Sequence, residues 1–568
     1  MKVIVYDFEV YRYDTLLGVR IDGGYFQTWN YAKMKQFYQE HRNDIWIGHN
    51  NTEYDNIILQ TVLKNKNPFE VSQDIVKKLK KYYLNLKLYY YDLMQYHPGS
   101  LKVIEAALGK DICETEVPFD IDRPLTNEER FKVETYNRHD LDQTFLDLNL
   151  SKSEFNLNID LIKEFNLPLD ALNYSQARTA EAALGVRKDE TLIDKPVKPI
   201  LYPQMKIKNQ EVIDYYLSEG FRTPNKPAFT ICGLLHQMGA GGIHAGRKKC
   251  HYEWAYYFDV SGYYNLVMIN YDLFSRAMSE ESKERYKFMY HEQLRLKKID
   301  PIKRAIYKTI LLAVFGAQMN EHSAFYDPWV GPLVPIVGQL FLVDLLEKLE
   351  GKVELVQSNT DGIIAVPLEG VTEKELFDIV NEWQARTGFV LKMDKITDIW
   401  QRDVNNYMYR DANGKIHTVG EAVKYYECWE NPLEKNSFNS KEPIIIHYCI
   451  VDYFMNGVKP EQTIVKYSKN LRMFQWICKL QKYDYLTFEK DGEVTRLQKV
   501  NRCFASRESG MIYKNKQDKH DRYSNLSDNV FVWNSDLKDL DNKKIDYIYY
   551  ARRAYERIYD FMNKESIN

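Results

Sequence analysis

The first residues that could perform chemistry are two carboxylates near the start of the sequence. Asp7 and Glu9 lie in the run VIVYDFEV, which predicts a strand. Because side chains alternate between the two faces of a strand, Asp7 and Glu9 project from one face together with Val3 and Val5. Two neighbouring carboxylates repel each other, so they are either exposed to solvent or bind a cation. A first strand is usually central in an α/β layer, which disfavours exposure.

Two further carboxylates follow at separate places in the sequence. Asp55 stands in GHNNTEYDN, where Asn51 and Asp55 follow the apolar strand DIWIG. The run LTNEERFKVETYNRHDLDQTFLDLNL predicts a helix that a capping box of Thr126 with Glu129 opens. In it Asp140 comes one helical turn after Tyr136, so the two side chains point the same way. A single aspartate on a helix face is usually solvated, and each of these residues alone fits that simpler interpretation.

Together these residues form the series D-x-E, N-x-x-Y-D and Y-x-x-x-D. The series resembles the three motifs of the DEDD-type 3′–5′ proofreading exonucleases, in the order found in DNA polymerases. The resemblance implies that Tyr136 orients the attacking water and that Asn51 contacts the primer strand. Lys102 in SLKVIEAALG matches a lysine that phage members use near the scissile phosphate, and a solvated lysine at a helix start is the alternative. Two Mg²⁺ ions need several carboxylates, and the implied ligands are Asp7, Glu9, Asp55 and Asp140.

A second carboxylate set begins in the strand-like run WAYYFDVSGYYN. It resembles motif A of family B DNA polymerases, usually D-x-x-S-L-Y-P. The resemblance implies that Asp259 binds metal and that Tyr264 packs beneath the incoming sugar and excludes a 2′-hydroxyl. Gly262 and Asn265 replace the usual Ser and Pro. Ser261 and Gly262 are expected to supply backbone N–H groups to the triphosphate.

A basic helical pair is predicted over residues 279–318. Asp300 and Pro301 suit the N-cap and the first residue of its second helix. From Lys283 to Lys308, nine Lys and Arg residues face three Asp and Glu residues, a net charge of +6 in a chain of net charge −3. A solvated helix pair and a hairpin that grips a polyanion both fit this charge.

The second helix of the pair carries Arg304, Lys308 and Phe315 on one face. The pattern K-x3-L-A-x-F-G that starts at Lys308 resembles motif B of the same polymerases, K-x3-N-S-x-Y-G. The resemblance implies that Lys308, together with Arg304, contacts the triphosphate. Leu312 and Ala313 replace the usual Asn and Ser near the nascent base pair, so fidelity or sugar selection is the property most affected.

The stretch VQSNTDGIIAV, residues 356–366, predicts a β-hairpin, because Asn-Thr-Asp-Gly between apolar arms suits a tight turn. By itself it is a plain turn. It also resembles motif C, D-T-D-S, in which Asp361 aligns with the second aspartate and pairs with Asp259 in binding both metals. Asn359 replaces the first aspartate and removes one negative charge, which predicts a weakened or altered metal dependence. Val260 is counted with the metal-binding residues.

Two flanking segments complete the resemblance, which covers about residues 1–420. DVNNYMYRD resembles the K-x-Y motif next to the thumb, with Tyr407 against the primer terminus and Asn405 in place of Lys. GAGGIHAG resembles the Y-x-G-G segment that joins the two modules along the template. There Gly241 and Gly242 let the backbone approach phosphates closely.

Composition bounds the class of protein. A chain of 568 residues is expected to form two to four domains. The hydrophobic content of 45% is that of an ordinary soluble protein, and the net charge of −3 gives no global sign of a nucleic-acid binder. Seven scattered cysteines without a C-x-x-C pair argue against a zinc site or a disulfide scaffold. Charges interrupt the N-terminus too early for a signal peptide, so we expect a cytoplasmic location, in the host cell if the source is viral.

The expected fold is multidomain, of the α/β and α+β classes. An RNase H-like exonuclease domain would be followed by a right-hand polymerase with an antiparallel-sheet palm, helical-hairpin fingers and a thumb. The expected bounds are 1–165 for the exonuclease domain, 166–275 for a linker and the first part of the palm, 276–320 for the fingers, 321–420 for the palm, and 421–568 for the thumb.

The resemblance implies a template-directed DNA polymerase with 3′–5′ proofreading that replicates a phage or mobile-element genome by two-metal nucleotidyl transfer. Each site would use two Mg²⁺ ions, with Mn²⁺ able to substitute. The expected partners are primer–template DNA, dNTPs and single-strand binding protein or other replisome factors, with no membrane, and the protein should be a monomer. Two alternatives stay open: an exonuclease-only protein with a decayed polymerase site, and a non-enzymatic single-strand DNA-binding replication protein.

The relatives suggested by these motifs are short phage polymerases, including the protein-primed group. Only 49 residues separate Asp259 from Lys308, and 43 separate Gly316 from Asn359. These spacings leave little room for the insertion that grips a terminal protein or for the one linked to strand displacement. We therefore expect ordinary nucleic-acid priming and modest unaided processivity.

Overall fold

The computed structural model describes residues 1–562 except residues 225, 240 and 429. The chain divides into two compact units. The mixed α/β, multidomain class expected from the sequence is confirmed, whereas the assignment of exonuclease, palm, fingers and thumb to particular bounds stays a prediction. Unit 1 contains Met1–Asn173, Tyr425–Cys449 and Val458–Tyr555, and unit 2 contains Tyr174–Lys424, Ile450–Gly457 and the described residues from Glu556.

Unit 1 begins with a five-stranded sheet and six helices. The strands are β1 (Val3–Val10), β2 (Thr15–Ile21), β3 (Gly24–Thr28), β4 (Ile45–Gly48) and β5 (Tyr89–Asp92). The helices are α1 (Tyr31–His41), α2 (Asp55–Leu63), α3 (Pro68–Val76), α4 (Leu101–Leu108), α5 (Asn127–Leu150) and α6 (Lys152–Glu164). The strand order is β3-β2-β1-β4-β5, in which β1, β2 and β3 pair antiparallel while β4 pairs parallel with β1 and β5.

The first strand is central in this sheet, as the sequence predicted. Its even-numbered side chains, such as Tyr6 and Phe8, belong to one core cluster with Trp46. Val5 belongs to another, together with Leu141 of α5. Because side chains alternate along the strand, the face of β1 that carries Asp7 and Glu9 is the face covered by α5.

The N-terminus of α5 is fixed by a capping box, also as predicted. The Thr126 hydroxyl accepts a hydrogen bond from the Glu129 N–H at 3.2 Å, and the Glu129 carboxylate accepts one from the Thr126 N–H at 2.8 Å. An N-cap of this kind stabilises a helix by about 1 kcal/mol. It defines the start of the helix that holds Tyr136 and Asp140 over β1.

Unit 2 is built on a nine-stranded sheet whose paired strands are all antiparallel. Its strands are β6 (Ala228–Ile231), β7 (Leu234–Met238), β8 (Ile243–Gly246), β9 (Cys250–Val260), β10 (Val353–Asn359), β11 (Gly362–Pro367), β12 (Leu391–Asp403), β13 (Asn406–Arg410) and β14 (Ile416–Val419). The strand order is β14-β13-β12-β9-β11-β10-β8-β7-β6, so β9 and the β10–β11 hairpin lie next to each other. Its helices are α7 (Gln176–Leu184), α8 (Gln210–Leu217), α9 (Tyr263–Asn270), α10 (Glu280–Arg295), α11 (Pro301–Ala317), α12 (Leu333–Leu349) and α13 (Glu373–Thr387).

The predicted basic helical pair is formed by α10 and α11. The Asp300 carboxylate accepts a hydrogen bond from the Lys303 N–H at 2.9 Å, and Pro301 is the first residue of α11. Lys308 and Leu312 are exposed, and the Leu312 side chain is 61% accessible. An exposed leucine beside an exposed lysine gives α11 a solvent-facing surface of mixed character.

The C-terminal part of the chain forms two small sheets and three helices. The strands are β15 (Trp476–Lys479), β16 (Tyr485–Lys490), β17 (Glu493–Leu497), β18 (Val500–Ala505), β19 (Met511–Lys516), β20 (Lys519–Arg522) and β21 (Val530–Val532), in the orders β15-β18-β21 and β17-β16-β19-β20. The helices are α14 (Ile444–Asn456), α15 (Pro460–Tyr467) and α16 (Tyr547–Phe561). No helix in the described part of the chain is long and apolar enough to cross a membrane.

A buried arginine connects these C-terminal sheets to α4 within unit 1. Arg502 on β18 is fully buried and donates hydrogen bonds to the carbonyl oxygens of Ala106 at 3.2 Å, Lys110 at 2.7 Å and Ser535 at 2.9 Å. The last carbonyl groups of a helix have no partner within the helix. The Ala106 carbonyl also accepts from the Gly109 N–H at 3.1 Å, so Arg502 adds a second donor at the end of α4, and burial lowers the pKa of Arg502 to about 10.

We expect Arg502→Met to loosen α4. The change removes the hydrogen bonds that the guanidinium group donates to the carbonyl oxygens of Ala106, Lys110 and Ser535, and a hydrogen bond to a charged group contributes about 1.5–3 kcal/mol. Hydrogen exchange of the α4 amides should accelerate by roughly 100-fold, corresponding to about 3 kcal/mol. The control is Arg496→Met, since Arg496 is exposed and its recorded contact is with the Tyr485 ring, at 4.9 Å. Equal exchange of α4 in the two variants would contradict the capping role.

Candidate active sites

Three of the predicted carboxylates in unit 1 meet at one point. Ligand oxygens of Asp7, Glu9 and Asp140 all lie within 4.8 Å of one another. Glu9 is 5% exposed and Asp140 is 8% exposed. The first two come from β1 and the third from α5, so the packing of this helix on this strand creates the cluster.

The fourth predicted carboxylate lies beside this cluster. Asp55 is the first residue of α2, and its buried carboxylate accepts a hydrogen bond from the Phe8 N–H at 3.0 Å. Burial and the nearby Asp7 carboxylate raise the pKa of Asp55 well above its usual range. Asp55 thus ties the start of α2 to the strand that bears Asp7 and Glu9.

The cluster has the electrostatic character of a cation site. Burial and the Asp140 carboxylate raise the pKa of Asp7 to about 7, and burial together with Asp7 and Asp140 raises the pKa of Glu9 well above its usual range. Both shifts reflect carboxylates forced together in a poorly hydrated place. Hard divalent cations such as Mg²⁺ prefer oxygen ligands of this kind, so the residues present fit such an ion.

Lys102 is the cation that the chain itself supplies here. Its ammonium group lies 2.6 Å from the Asp140 carboxylate, 3.1 Å from that of Glu105, and 4.6 Å from the centre of the Tyr136 ring. Burial alone would lower the pKa of Lys102, but the two carboxylates outweigh burial and raise it. The alternative of a solvated lysine is therefore wrong, while a role at a scissile phosphate stays a prediction.

Sequence reasoning missed the residue that holds Asp7. The Asn137 amide donates to the Asp7 carboxylate at 2.9 Å. Gly18 stands directly opposite Asp7 on β2, and a Cβ atom there would lie 1.6 Å from the Asn137 side-chain oxygen. A glycine inside a strand often marks a close approach, and this signal could have pointed to the contact.

A buried acid–base pair next to Lys102 was also missed. Ligand atoms of Glu105, His139 and Asp140 lie within 4.8 Å of one another, and Glu105 is fully buried. Burial acts to lower the pKa of His139, but Cys113 and Glu105 raise it to about 10. The sequence did contain a signal for the contact between Lys102 and Glu105, because the two residues are three apart on α4, a spacing at which helix side chains meet.

Asn51 lies deeper than its predicted role requires. Its side chain is fully buried and donates to the Tyr91 carbonyl oxygen at 3.4 Å. The loop around it is held by the Asp92 carboxylate, which accepts hydrogen bonds from the Asn50 N–H at 2.8 Å and the Thr52 N–H at 3.0 Å. A contact between Asn51 and a DNA strand stays a prediction.

In unit 2, sheet pairing brings Asp259 and Asp361 to the same place. Gly362 lies directly opposite Asp259, and the Val260 N–H donates to the Asp361 carbonyl oxygen at 2.9 Å. Asn359 pairs with Gly362, so Thr360 and Asp361 form a two-residue turn. The stretch is therefore a tight hairpin turn, and it also holds a carboxylate beside the end of β9.

The Asp259 carboxylate contributes to the electrostatic environment of Asp361. Burial by surrounding atoms and the Asp259 carboxylate raise the pKa of Asp361 to about 6. Burial also raises the pKa of Asp259. The nearby Asp394 carboxylate raises this pKa further, whereas the Lys392 ammonium group lowers it. Lys392 stands directly opposite Asp259 on β12 and was missed from the sequence. The alternating run LKMDK, which is typical of a strand, was the available signal.

The glycines of the GAGGIHAG segment differ in what surrounds them. A Cβ atom on Gly242 would lie 2.6 Å from the Thr360 hydroxyl oxygen and 2.9 Å from the Thr360 Cα atom, whereas one on Gly241 would meet nothing within 4 Å. Strand β8 pairs with β10, with His244 opposite Asn359. Gly242 therefore lets this segment pack against the turn that carries Asp361. Residue 240 of the motif lies outside the described residues.

Tyr264 joins three predicted segments. Its ring stacks on Phe315 of α11 at 4.2 Å between centroids, and its hydroxyl donates to the Gly241 carbonyl oxygen. Gly262 adopts a φ of 63° at the start of α9. The Ser261 N–H donates to the Val390 carbonyl oxygen at 2.9 Å, so in this conformation it is engaged within the protein.

The remaining predicted substrate residues differ in accessibility. Lys308 is exposed on α11, and Arg304 is half-buried one turn before it. Tyr407 is 6% exposed; burial raises its pKa, with smaller contributions from Asp361 and Asp259. The structure therefore places Tyr407 in the electrostatic field of the carboxylate pair, and its contact with a primer stays a prediction.

Comparisons with known proteins give limited information. No model of a known protein family matches the chain, and no curated protein matches it by sequence. Among solved structures it is similar to the family B DNA polymerase from the hyperthermophilic archaeon Pyrobaculum calidifontis, with 13% identity and a TM-score of 0.44 over 99% of this chain and 78% of that chain. A TM-score of this size is too low to assign the chain to a family.

We expect Gly242→Ala to displace the turn that carries Asp361. The added methyl group would overlap Thr360, and overpacking of this kind costs about 1–3 kcal/mol. Hydrogen exchange over residues 353–367 should accelerate by roughly tenfold or more. Gly241→Ala is the matched control because open space surrounds that position. The close-packing argument fails if the two variants exchange alike.

The unit 1 cluster also predicts how stability depends on pH and Mg²⁺. Without a divalent cation, folded Asp7, whose pKa is raised from 3.8 to about 7, retains a proton that the unfolded chain has released. The melting temperature should therefore fall as pH rises from about 4 to about 7. Mg²⁺ should restore it more at pH 8 than at pH 5, where protons compete for the carboxylates.

Calorimetry on a chain carrying Asp361→Ala would isolate the unit 1 site. Adding Asp7→Asn and Glu9→Gln should raise the melting temperature in EDTA at pH 8, because the repulsion is removed, and should abolish the Mg²⁺ effect. Asp22→Asn, at an exposed residue paired with Lys2, is the control. An equal Mg²⁺ effect in the doubly neutralised chain would disprove binding at this cluster.

Proposed function

We propose that this protein is a template-directed DNA polymerase of the family B type with a 3′–5′ proofreading exonuclease site. The observation that carries the proposal is the pairing of Asp259 with Asp361. The two aspartates of the motif A and motif C resemblances are far apart in sequence, and the register of one antiparallel sheet brings them together. If the two motif resemblances arose by chance, there would be no reason for these two aspartates to lie beside each other in the fold.

In the polymerase reaction, Asp259, Val260 and Asp361 would hold the metal ions. When bound, two Mg²⁺ or Mn²⁺ ions activate the primer 3′-hydroxyl and stabilise the leaving pyrophosphate. The ring of Tyr264 stacks on Phe315 and its hydroxyl donates to the Gly241 carbonyl oxygen, so it would form a fixed surface beneath the incoming sugar and would exclude a 2′-hydroxyl.

The triphosphate would be bound from α11. Lys308 is exposed there, and the Nε atom of Arg304 is buried without a hydrogen-bond partner in the described part of the chain. A buried donor without a hydrogen-bond partner costs free energy of folding unless a ligand accepts its hydrogen bond. A triphosphate oxygen is an acceptor of the required charge, which supports the assignment of Arg304 and Lys308.

In the exonuclease reaction, Asp7, Glu9, Asp55 and Asp140 would provide the acidic centre. Lys102 lies against Asp140, where its ammonium group can also contact the scissile phosphate. The ring of Tyr136 lies beneath that ammonium group, and its hydroxyl would orient the attacking water. A frayed mispaired 3′ end would reach this site as a single strand.

The finer features of the proposal follow from the family resemblance, and the nucleic-acid priming follows from the short spacings between its motifs. They are a phage or mobile-element genome, nucleic-acid priming, and primer–template DNA and dNTPs as substrates of a monomer. Because the template supplies the sequence, protein contacts should go mainly to phosphate and sugar, and affinity should depend strongly on salt.

A gel assay on one labelled primer–template tests the proposal. Wild type should extend the primer with dNTPs and shorten it 3′→5′ without them. Asp361→Ala should lose extension by at least about 10³-fold and keep degradation, while Asp7→Ala should do the reverse. The controls are Asp378→Ala and Asp22→Ala, two surface aspartates in salt bridges, and both should behave as wild type.

The other outcomes identify the alternatives. Degradation without extension, even with Mn²⁺, would mean an exonuclease-only protein in which Asn359 marks a decayed site. Metal-independent binding of single strands with neither activity would mean a non-enzymatic DNA-binding protein. Either result would overturn the proposal.

A further inference from the structure

A basic cavity lies in the C-terminal part of unit 1, among residues that belong to neither carboxylate site. Its volume is about 290 Å³, near the lower limit of small-molecule sites, which run from about 300 to 1,000 Å³. It can therefore hold one nucleotide-sized group and not a duplex. The lining residues used below are Phe438, Lys441, Trp476, Lys479, Lys514 and Tyr523.

The cavity carries positive charge that the protein does not neutralise. Lys441, Lys479 and Lys514 line it, and its lining contains no Asp or Glu. None of the three lysines forms a salt bridge with any residue in the described part of the chain. The Lys479 ammonium group is half-buried and 2.6 Å from the Asn439 side-chain oxygen, and burial lowers its pKa. A bound anion would remove the cost of leaving this charge uncompensated.

Aromatic groups share the cavity with these lysines. The Lys514 ammonium group lies 4.7 Å from the centre of the Tyr483 ring and 5.5 Å from that of Tyr523. Trp476 is 5% exposed, and its indole N–H has no hydrogen-bond partner in the described part of the chain. Cations that track phosphates, combined with aromatic rings, are what proteins use to bind single-stranded nucleic acid.

We propose that this cavity binds one nucleotide unit of a single-stranded nucleic acid, with the three lysines around its phosphate and Tyr523 beside its base. The choice of ligand rests on the proposed polymerase and exonuclease function. The site itself rests on the uncompensated lysines, the unpartnered indole and the cavity.

The first experiment locates the strand. A thymidine-rich oligonucleotide carrying 5-iododeoxyuridine is irradiated with the full chain in EDTA, and the adducts are mapped by mass spectrometry. We expect an adduct in the peptides that contain Trp476 or Tyr523. Adducts confined to peptides of the two carboxylate sites would overturn the proposal.

The second experiment measures affinity by fluorescence anisotropy with labelled dT12, again in EDTA. Lys441→Gln, Lys479→Gln and Lys514→Gln combined should weaken binding at least tenfold. The slope of log affinity against log salt should fall by about 0.7, since the proposed site contacts one phosphate and each phosphate contact on a single strand contributes about 0.7. The matched control combines Lys499→Gln, Lys543→Gln and Lys544→Gln, three exposed lysines of the same unit outside the cavity. Equal weakening by the two triple variants would refute a defined site.

Competitors separate the possible sources of the anion. Protection of the Tyr523 adduct by millimolar dTMP or dTTP alone, with no strand requirement, would mean a free-nucleotide pocket and would overturn the proposal. Equal protection by poly-glutamate at the same charge concentration would mean a surface that binds any polyanion and would also overturn it. Both experiments are performed without divalent metal, so absence of extension or degradation in the gel assay would leave their results intact.

Discussion

Repulsion between buried carboxylates is the constraint on which unit 1 depends. Two unit charges about 5 Å apart repel by about 3 kcal/mol at an effective dielectric constant of 20, and Asp7, Glu9 and Asp140 meet within 4.8 Å. The chain offsets this cost with the Lys102 ammonium group and with the Asn137 amide on Asp7. Gly18 has no side chain, and the Asn137 amide group occupies the space that a side chain there would fill. A bound metal ion would offset the carboxylate repulsion that Lys102 and Asn137 leave uncompensated.

The unit 2 pair is built on a different principle. Asp259 and Asp361 are held by the backbone of adjacent strands, through sheet register and the Val260 N–H. Fewer carboxylates lie together there, and Lys392 stands directly opposite Asp259 on the neighbouring strand β12. Asn359, the last residue of β10, pairs with Gly362, and the Val260 N–H holds the Asp361 carbonyl, so the position of this turn depends on backbone hydrogen bonds.

Local patterns in the sequence predicted the local structure of both sites. Alternation in VIVYDFEV placed Asp7 and Glu9 on one face, Thr126 with Glu129 set the start of α5, and Asn-Thr-Asp-Gly gave the hairpin turn. These signals work because strand period, capping and turn chemistry act over a few residues. Contacts between distant segments carry a weaker signal: a glycine inside a strand indicated a close approach at Gly18 but did not identify Asn137 as its partner, and nothing near Arg502 indicated a contact with α4.

The Arg502 contact also has a consequence for how the protein is made. Arg502 and Ala106 are 396 residues apart in the chain, and ribosomes add about 5–20 residues per second. On that scale α4 leaves the ribosome roughly 20 to 80 s before its C-terminal partner exists. The N-terminal sheet is translated early, but the Ala106 and Lys110 carbonyl groups receive their contact from Arg502 only after about 500 residues have been translated. For that interval the nascent chain carries a docking face that a chaperone, or a premature wrong partner, can occupy.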